Sequence, residues 1–201
     1  MKILCIGRNY REHARELNNP VPEKPVFFMK GSNSLLRNGK PFYYPDFSND
    51  IQYEAELVLR IGRLGKNIAP EFAYSYIDAI SLGIDFTARD LQTECKNKGL
   101  PWEVAKAFDH AAVLGELKPC GDLSRNIRFQ LLLNGTQVQD GHSHDMLFPI
   151  PAIIAYLSRF ITLRTGDLIY TGTPAGVGPI SIGDTLEGFL EGEKVFNLNI
   201  K

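Results

Sequence analysis

Two glutamates one residue apart, Glu54 and Glu56 in Tyr53-Glu54-Ala55-Glu56-Leu57, are the residues whose spacing most directly suggests chemistry. Residues 53 to 61 alternate with the period of a strand, so both carboxylates share one side and oppose an apolar face of Ala55, Leu57, Leu59 and Ile61. Like charges held as neighbours repel, and a divalent cation between them turns that repulsion into coordination. Oxygen ligands favour a hard ion, Mg²⁺ or Mn²⁺ with Ca²⁺ as a substitute, over zinc. A strand with its acidic face in water has the same pattern. Asp85, in Gly83-Ile84-Asp85-Phe86-Thr87, offers a third carboxylate where an apolar strand hands over to a helix. Arg89 and Gln92 follow at i and i+3 on that helix, within reach of an anionic substrate, although Arg89 can equally pair with an acid such as Asp85.

His13 and Glu16 are also i and i+3, close enough for the carboxylate to orient the imidazole and raise its basicity, as a water-activating base requires. Both can equally be solvated residues of a short helix. Lys106 lies in Val104-Ala105-Lys106-Ala107-Phe108 and can stabilise an enolate or carboxylate if it points inward; a snorkelling surface lysine is the plainer alternative. The run from Gly172 to Gly178 offers backbone N–H groups and the Thr173 hydroxyl to a carboxylate, but it contains neither a P-loop nor a dinucleotide fingerprint. His142 and His144, with no third ligand nearby, read as surface residues.

These residues need elements to position them. Ile3-Leu4-Cys5-Ile6 is a short buried strand, and residues 9 to 18 form a short helix with Asn9 as cap, Glu12 three residues on, and Tyr10, Ala14 and Leu17 as its core stripe. Asn18-Asn19-Pro20 ends it, and three prolines from Pro20 to Pro25 make a stiff connection on which the helix can move as a lid. Residues 26 to 29, 53 to 61 and 76 to 86 read as strands, and Thr87 with Asp90 opens a polar helix through about Lys98. Asn134-Gly135 between residues 129 to 133 and 136 to 139 predicts a hairpin with a type I′ turn, a second hairpin fits between Asp184 and the C-terminus, and residues 151 to 160 have helical spacing. Many short strands with three short helices, and no long βα alternation, predict a β-rich α+β fold in one domain over residues 1–201.

Composition narrows the function classes. The 201 residues are 44% hydrophobic, and 22 Lys+Arg against 23 Asp+Glu leave a formal charge of −1, with no basic block for nucleic acid. No apolar stretch approaches the ~18 residues of a spanning helix, and the run after Lys2 meets Arg8 too early for a secretory signal, so no membrane partner and a cytoplasmic location are expected. Cys5, Cys95 and Cys120 encode neither a disulfide framework nor a thiolate zinc site.

Taken in order, several motifs resemble the fumarylacetoacetate hydrolase family, most closely its short branch of acylpyruvases and oxaloacetate decarboxylases. They are Gly7-Arg8-Asn9-Tyr10 leading to His13 and Glu16, Glu54-x-Glu56, Asp85-x-Thr87-Ala88-Arg89-Asp90-x-Gln92, Lys106, and Thr171-Gly172-Thr173-Pro174-x-Gly176-Val177-Gly178. The resemblance implies a mixed β-sandwich roll, usually a homodimer, with Glu54, Glu56 and Asp85 as ligands of Mg²⁺ or Mn²⁺. It further implies a small 2-oxo acid substrate whose C3–C4 bond breaks to give pyruvate enolate, by acylpyruvate hydrolysis or oxaloacetate decarboxylation. On that pattern His13 oriented by Glu16 deprotonates water, Lys106 and Gln92 stabilise charge, and Arg8, Arg89 and Thr173 hold the substrate acid. This chain has Lys30-Gly31-Ser32 where the family often carries Lys-Pro-Ser or Lys-Pro-Asn, and it lacks the extra N-terminal domain of fumarylacetoacetase proper. The alternatives are keto-enol isomerisation of a 2-hydroxydienoate or oxaloacetate at the same site, and a catalytically silent metal-binding interaction protein.

Overall fold

Short apolar runs broken by Gly, Pro and Asn give many short strands, and the computed structural model describes them over residues 1–17, 20–37 and 39–201. The chain opens with β1 (Ile3–Gly7), α1 (Arg11–Glu16), β2 (Val26–Lys30) and β3 (Leu35–Arg37). β4 (Ile51–Tyr53), β5 (Ala55–Ile61), β6 (Ile77–Asp85) and β7 (Thr87–Ala88) come next, followed by α2 (Arg89–Lys98) and α3 (Glu103–Lys106). β8 (Ala112–Leu114), β9 (Lys118–Pro119), β10 (Arg128–Leu133) and β11 (Thr136–His142) precede α4 (Ile150–Phe160). β12 (Leu168–Tyr170), β13 (Gly178–Pro179), β14 (Thr185–Leu190) and β15 (Glu193–Asn199) complete the chain. The result is a β-rich α+β fold.

An eight-stranded mixed sheet runs β2-β1-β12-β5-β6-β8-β3, with β9 also on β6; a four-stranded sheet runs β11-β10-β14-β15 and a three-stranded one β13-β4-β7. The large sheet must curl. Its edge strands β2 and β3 are joined by residues 31–34 alone, a link that reaches at most about 18 Å, whereas six flat strand spacings would separate the edges by about 29 Å. The curl lets Lys30, on β2, donate hydrogen bonds to Phe86 O (3.2 Å) and Ala111 O (2.8 Å), at the ends of β6 and β8.

Strand alternation then gives the large sheet two environments. Its outer face, with Leu57, Leu59, Leu82, Ile84 and Ile169, packs on α4 (Ile150, Ile153, Ile154, Leu157) and on the four-stranded sheet (Phe129, Leu131, Leu186, Leu198). Its inner face carries a smaller cluster of Ile3, Cys5, Val58, Ala112, Leu114, Leu168 and Tyr170. Gly83 is required there, because a Cβ on it would stand 2.7 Å from the Tyr170 ring and 2.4 Å from Val113 O. The Tyr170 hydroxyl crosses that gap to donate to Val113 O at 2.6 Å.

Both expected hairpins are present. Asn134 and Gly135 have φ of 51° and 79°, as a type I′ turn requires, and Glu191-Gly192 repeats the arrangement with 51° and 83° between β14 and β15. Other expectations are corrected. Asn9 does not cap α1, whose N-cap is Tyr10; its amide instead accepts from Phe148 N (2.8 Å) and donates to Thr171 O (2.7 Å), so a tertiary clamp outweighs local capping. Asn18 and Asn19, the expected end of that helix, lie outside the described residues. α2 begins at Arg89, because Thr87 is paired with Gln52 in β7 and the Asp90 carboxylate accepts from Ser48 Oγ and Asn49 N instead of closing a capping box with Thr87. The strand expected over 53 to 61 is broken at Glu54, where β4 leaves for the three-stranded sheet. The four-residue α3 is an additional helix. No helix among the described residues is long and apolar enough to cross a membrane.

Asp167 fastens the chain start to the turn before β12. Its buried carboxylate accepts from Lys2 N (2.8 Å), Lys2 Nζ and Arg164 N (2.8 Å). Burial opposes its ionisation, but those donors prevail and hold its pKa below the ordinary value. Asp167→Asn is therefore expected to cost about 1–3 kcal/mol at neutral pH. Because the folded pKa is the depressed one, the contribution is complete above the unfolded value and disappears as pH falls through the folded value. Denaturant titrations should show the gap between wild type and variant closing in acid; a gap independent of pH would contradict this role.

Candidate active site

Glu54, Glu56 and Asp85 meet at one mouth of the curled sheet, each 1–6% exposed. Glu56 projects from β5 on the inner face, opposite Gly83 of β6, and Asp85 follows two residues later on the same side. The chain break at Glu54 turns that carboxylate inward too: Glu54 O accepts from Asp85 N (2.8 Å), and Ala55 N is held by Gln139 Oε1 (2.9 Å). One oxygen of each carboxylate lies within 4.8 Å of the other two. The strand is thus not an amphipathic one with its acids in water.

Two lysines oppose this negative charge. Lys106, 3% exposed, is aimed inward by α3 and donates to Glu54 Oε2 (2.8 Å), Asp85 Oδ2 (2.8 Å) and Thr87 Oγ1 (2.6 Å). Lys30 approaches from the other edge of the roll, its Nζ 2.6 Å from Asp85 Oδ1. Gly31 keeps φ −73° and ψ 169°, the backbone a proline would adopt, so replacing the family's usual proline leaves Lys30 in place. Burial resists charging Lys106, but Asp85 and Glu54 overcome it and raise its pKa. Burial likewise resists ionisation of Glu54, yet Lys106 and Arg89 hold its carboxyl well below the usual range. Glu56 goes the other way: burial, then the Asp85 and Glu54 charges, push it well up, against one hydrogen bond from Gly172 N (2.7 Å). The cluster therefore has room for further positive charge, and an all-oxygen donor set in a buried position fits a hard divalent cation.

His13, 5% exposed, closes one side of the cleft. Its Nδ1 is 3.0 Å from Glu16 Oε2, while Glu16 Oε1 accepts from Gly176 N (3.0 Å), so Glu16 ties α1 to the glycine-rich loop. With Nδ1 engaged by a carboxylate, Nε2 is the nitrogen left to take a proton. Two backbone N–H groups of that loop, Gly172 and Gly176, are thus committed to Glu56 and Glu16, a correction to the expectation that they would face a ligand. Gly172 adopts φ 98°, and a Cβ there would press on Asn9 Cβ at 2.6 Å. Thr173 Oγ1 accepts from Gln139 Nε2 (2.8 Å), which leaves its own proton to donate into the cleft. Arg89 donates to Gln52 Oε1, Gln92 Oε1 and Glu54 Oε1 at 2.6–2.9 Å, fixing Glu54, while Gln92 Nε2 has no hydrogen-bond partner among the described residues.

One solvent-open cleft is lined by Arg8, His13, Glu54, Glu56, Asp85, Arg89, Gln92, Lys106 and Thr173. Every candidate named from the sequence is there or, as for Glu16, bonded to a residue that is. Sequence reasoning missed the positions of Lys30 and Gln139, and it missed Lys96 and Trp102, which also line the cleft. Lys96 had a signal, since Arg89, Gln92 and Lys96 at i, i+3 and i+7 share a helix face.

A buried acidic triad beside a carboxylate-oriented histidine sets a candidate cation site next to a candidate base. The chain matches the fumarylacetoacetate (FAA) hydrolase C-terminal family over residues 2–199 and belongs to that family. The mouse (Mus musculus) mitochondrial oxaloacetate tautomerase FAHD1 is 39% identical, over 99% of this chain and 91% of its own length. The crystal structure of fumarylpyruvate hydrolase from Pseudomonas aeruginosa, in complex with Mn²⁺ and pyruvate, superposes with a TM-score of 0.93 at 35% identity, covering 100% of this chain and 89% of that one.

If the triad holds the cation, calorimetry with Mn²⁺ should find one site per chain, weakened at least about ten-fold by Glu56→Gln. Unchanged affinity in that variant would place the ion elsewhere.

Proposed function

We propose that this protein hydrolyses the C3–C4 bond of a small 3-acylpyruvate, releasing pyruvate and a carboxylic acid, with Mg²⁺ or Mn²⁺ held by Glu54, Glu56 and Asp85. The observation that carries this reading is the buried His13 on the wall of the cleft that holds the three carboxylates, its Nδ1 on the Glu16 carboxylate behind it. When bound, the ion supplies a Lewis acid and template for the substrate's C1 carboxylate and C2 carbonyl. His13, its Nδ1 hydrogen fixed on Glu16, takes a proton from water at Nε2, and the resulting hydroxide adds to the C4 carbonyl. The C3–C4 bond then breaks, its electron pair passes to the pyruvate portion as an enolate, and a proton returns to C3. Gln92 Nε2, the Thr173 hydroxyl and the Lys106 ammonium are the donors that hold the acid and the negative charge that develops. Arg89 acts by fixing Glu54 and Gln92. Oxaloacetate decarboxylation would use the same groups without water attack.

The relationship to an oxaloacetate tautomerase favours a second reading, in which His13 shuttles a proton between keto and enol forms and no C–C bond breaks. The two separate on acetylpyruvate. For hydrolysis, His13→Ala should lower kcat for pyruvate release by about 10²–10⁴ while Mn²⁺ still binds. Full pyruvate release by that variant would remove His13 from the mechanism, and absorbance change without pyruvate in the wild type would favour the tautomerase.

A further inference from the structure

The glycine-rich loop from Gly172 to Gly178 carries one polar side chain, Thr173, and the direction of its hydroxyl decides whether that wall of the cleft offers a donor or an acceptor. A hydroxyl can do either, but Gln139 removes the choice. The buried Gln139 amide spans three groups: its Oε1 accepts from Ala55 N (2.9 Å), and its Nε2 donates to Pro174 O (3.0 Å) and Thr173 Oγ1 (2.8 Å). Ala55 N can only donate and Pro174 O can only accept, so these two backbone groups fix which end of the amide is which. One Nε2 hydrogen then goes to Pro174 O and the other to Thr173 Oγ1. The Thr173 proton has no acceptor among the described residues, and the residue lines the cleft, so the acceptor it is set to meet is a ligand there.

The strand that carries Gln139 is shaped to deliver this amide. Leu131 pairs with Gln139 but Leu132 pairs with Gln137, so Val138 is an extra residue in β11. A bulge of this kind re-aims the side chain next to it, and here Gln139 turns into the fold while Gln137 and Asp140 stay at the surface. The bulge also seats the loop, since a Cβ on Gly176, at φ 97°, would stand 2.2 Å from Val138 O. We propose that Gln139 is a positioning residue that locks the Thr173 hydroxyl as a donor, so that this wall selects an acceptor, the substrate carboxylate. This rests on the assignment of a 2-oxo acid to the site. Gln139 stands behind Thr173, outside the cleft lining, and acts only through that hydroxyl.

The test is a double-variant cycle read by binding, with pyruvate titrated by calorimetry into the Mn²⁺-loaded protein. Gln139→Glu keeps an acceptor for Ala55 N but brings no N–H, so the Thr173 proton turns to the new carboxylate and the cleft meets a lone pair. Gln139→Met removes both donors without adding charge and leaves Pro174 O to compete for the same proton. Gln139→Glu should weaken pyruvate by at least about ten-fold, and Gln139→Met by a smaller factor. In a Thr173→Val background the Gln139→Glu factor should shrink at least about five-fold and the Gln139→Met factor should vanish, because an added charge, or strain passed to Ala55, acts alike on both backgrounds and cancels in the cycle. Thermal melts and Mn²⁺ titrations check that each variant folds and keeps its cation. Wild-type affinity in both Gln139 variants, or losses of the same size with and without the Thr173 hydroxyl, would overturn the positioning role while leaving the 2-oxo acid reading intact. A wild-type protein that takes Mn²⁺ but no pyruvate loses both; one in which the cycle holds but acetylpyruvate yields no pyruvate loses only the hydrolytic reading.

Discussion

Three carboxylates of one sign, buried within 4.8 Å of one another, are the constraint around which the rest of this molecule is arranged. Charges taken out of water are costly unless paired, and here the pairing comes from opposite directions: Lys106 from a one-turn helix after β7, Lys30 from the edge strand that the curled sheet brings round. Arg89 closes the third side of Glu54. Glu56, supported by the Gly172 N–H and, at longer range, by the Lys106 charge, is the least compensated of the three. That imbalance leaves negative charge at Glu56 that a bound cation would offset, which is why the cluster is a candidate cation site.

The roll accounts for how one short chain assembles these partners. Each carboxylate sits on or beside one of two neighbouring strands, β5 and β6, whose register is fixed by seven paired residues. The outer face of those strands is anchored in the main core, so the inner face can carry polar groups without loosening the sheet. Mobile-looking parts of the site are tied down in turn: α1 through Asn9 and Glu16, the glycine-rich loop through Glu56, Glu16 and Gln139. Gln139 bonds both Ala55 N and Thr173 Oγ1, so it couples the acidic strand to the opposite wall of the cleft.

How much was legible in the sequence follows from the range of each interaction. The adjacency of Glu54 and Glu56, the His13–Glu16 pair, and the Asn134-Gly135 type I′ hairpin depend on residues two or three apart, and local pattern reveals them; the second hairpin was legible only as a region, without its Glu191-Gly192 turn. Burial of the acids does not show locally, because a buried acidic face and a solvated one alternate identically. Lys30 is harder still: its partner Phe86 O is 56 residues away, and only closure of the roll brings them together. Gln139 looks like one polar residue of an exposed hairpin strand, yet it is buried. Asn9 and Thr87 mislead for a common reason, since short polar side chains that cap helices in isolation are taken here by tertiary partners. A four-residue helix such as α3 has no period to detect, so the direction of Lys106 was undetermined until the fold was known.

The measurement that bears most directly on this account is pyruvate production from acetylpyruvate by the purified protein, with Mg²⁺ or Mn²⁺ added and again in excess EDTA, followed together with the ultraviolet absorbance of the substrate. Stoichiometric pyruvate that appears with metal and stops on chelation is the predicted result. Pyruvate release at the same rate in EDTA would contradict a central role for the three carboxylates as a cation site, and no pyruvate with metal bound would contradict the hydrolytic function.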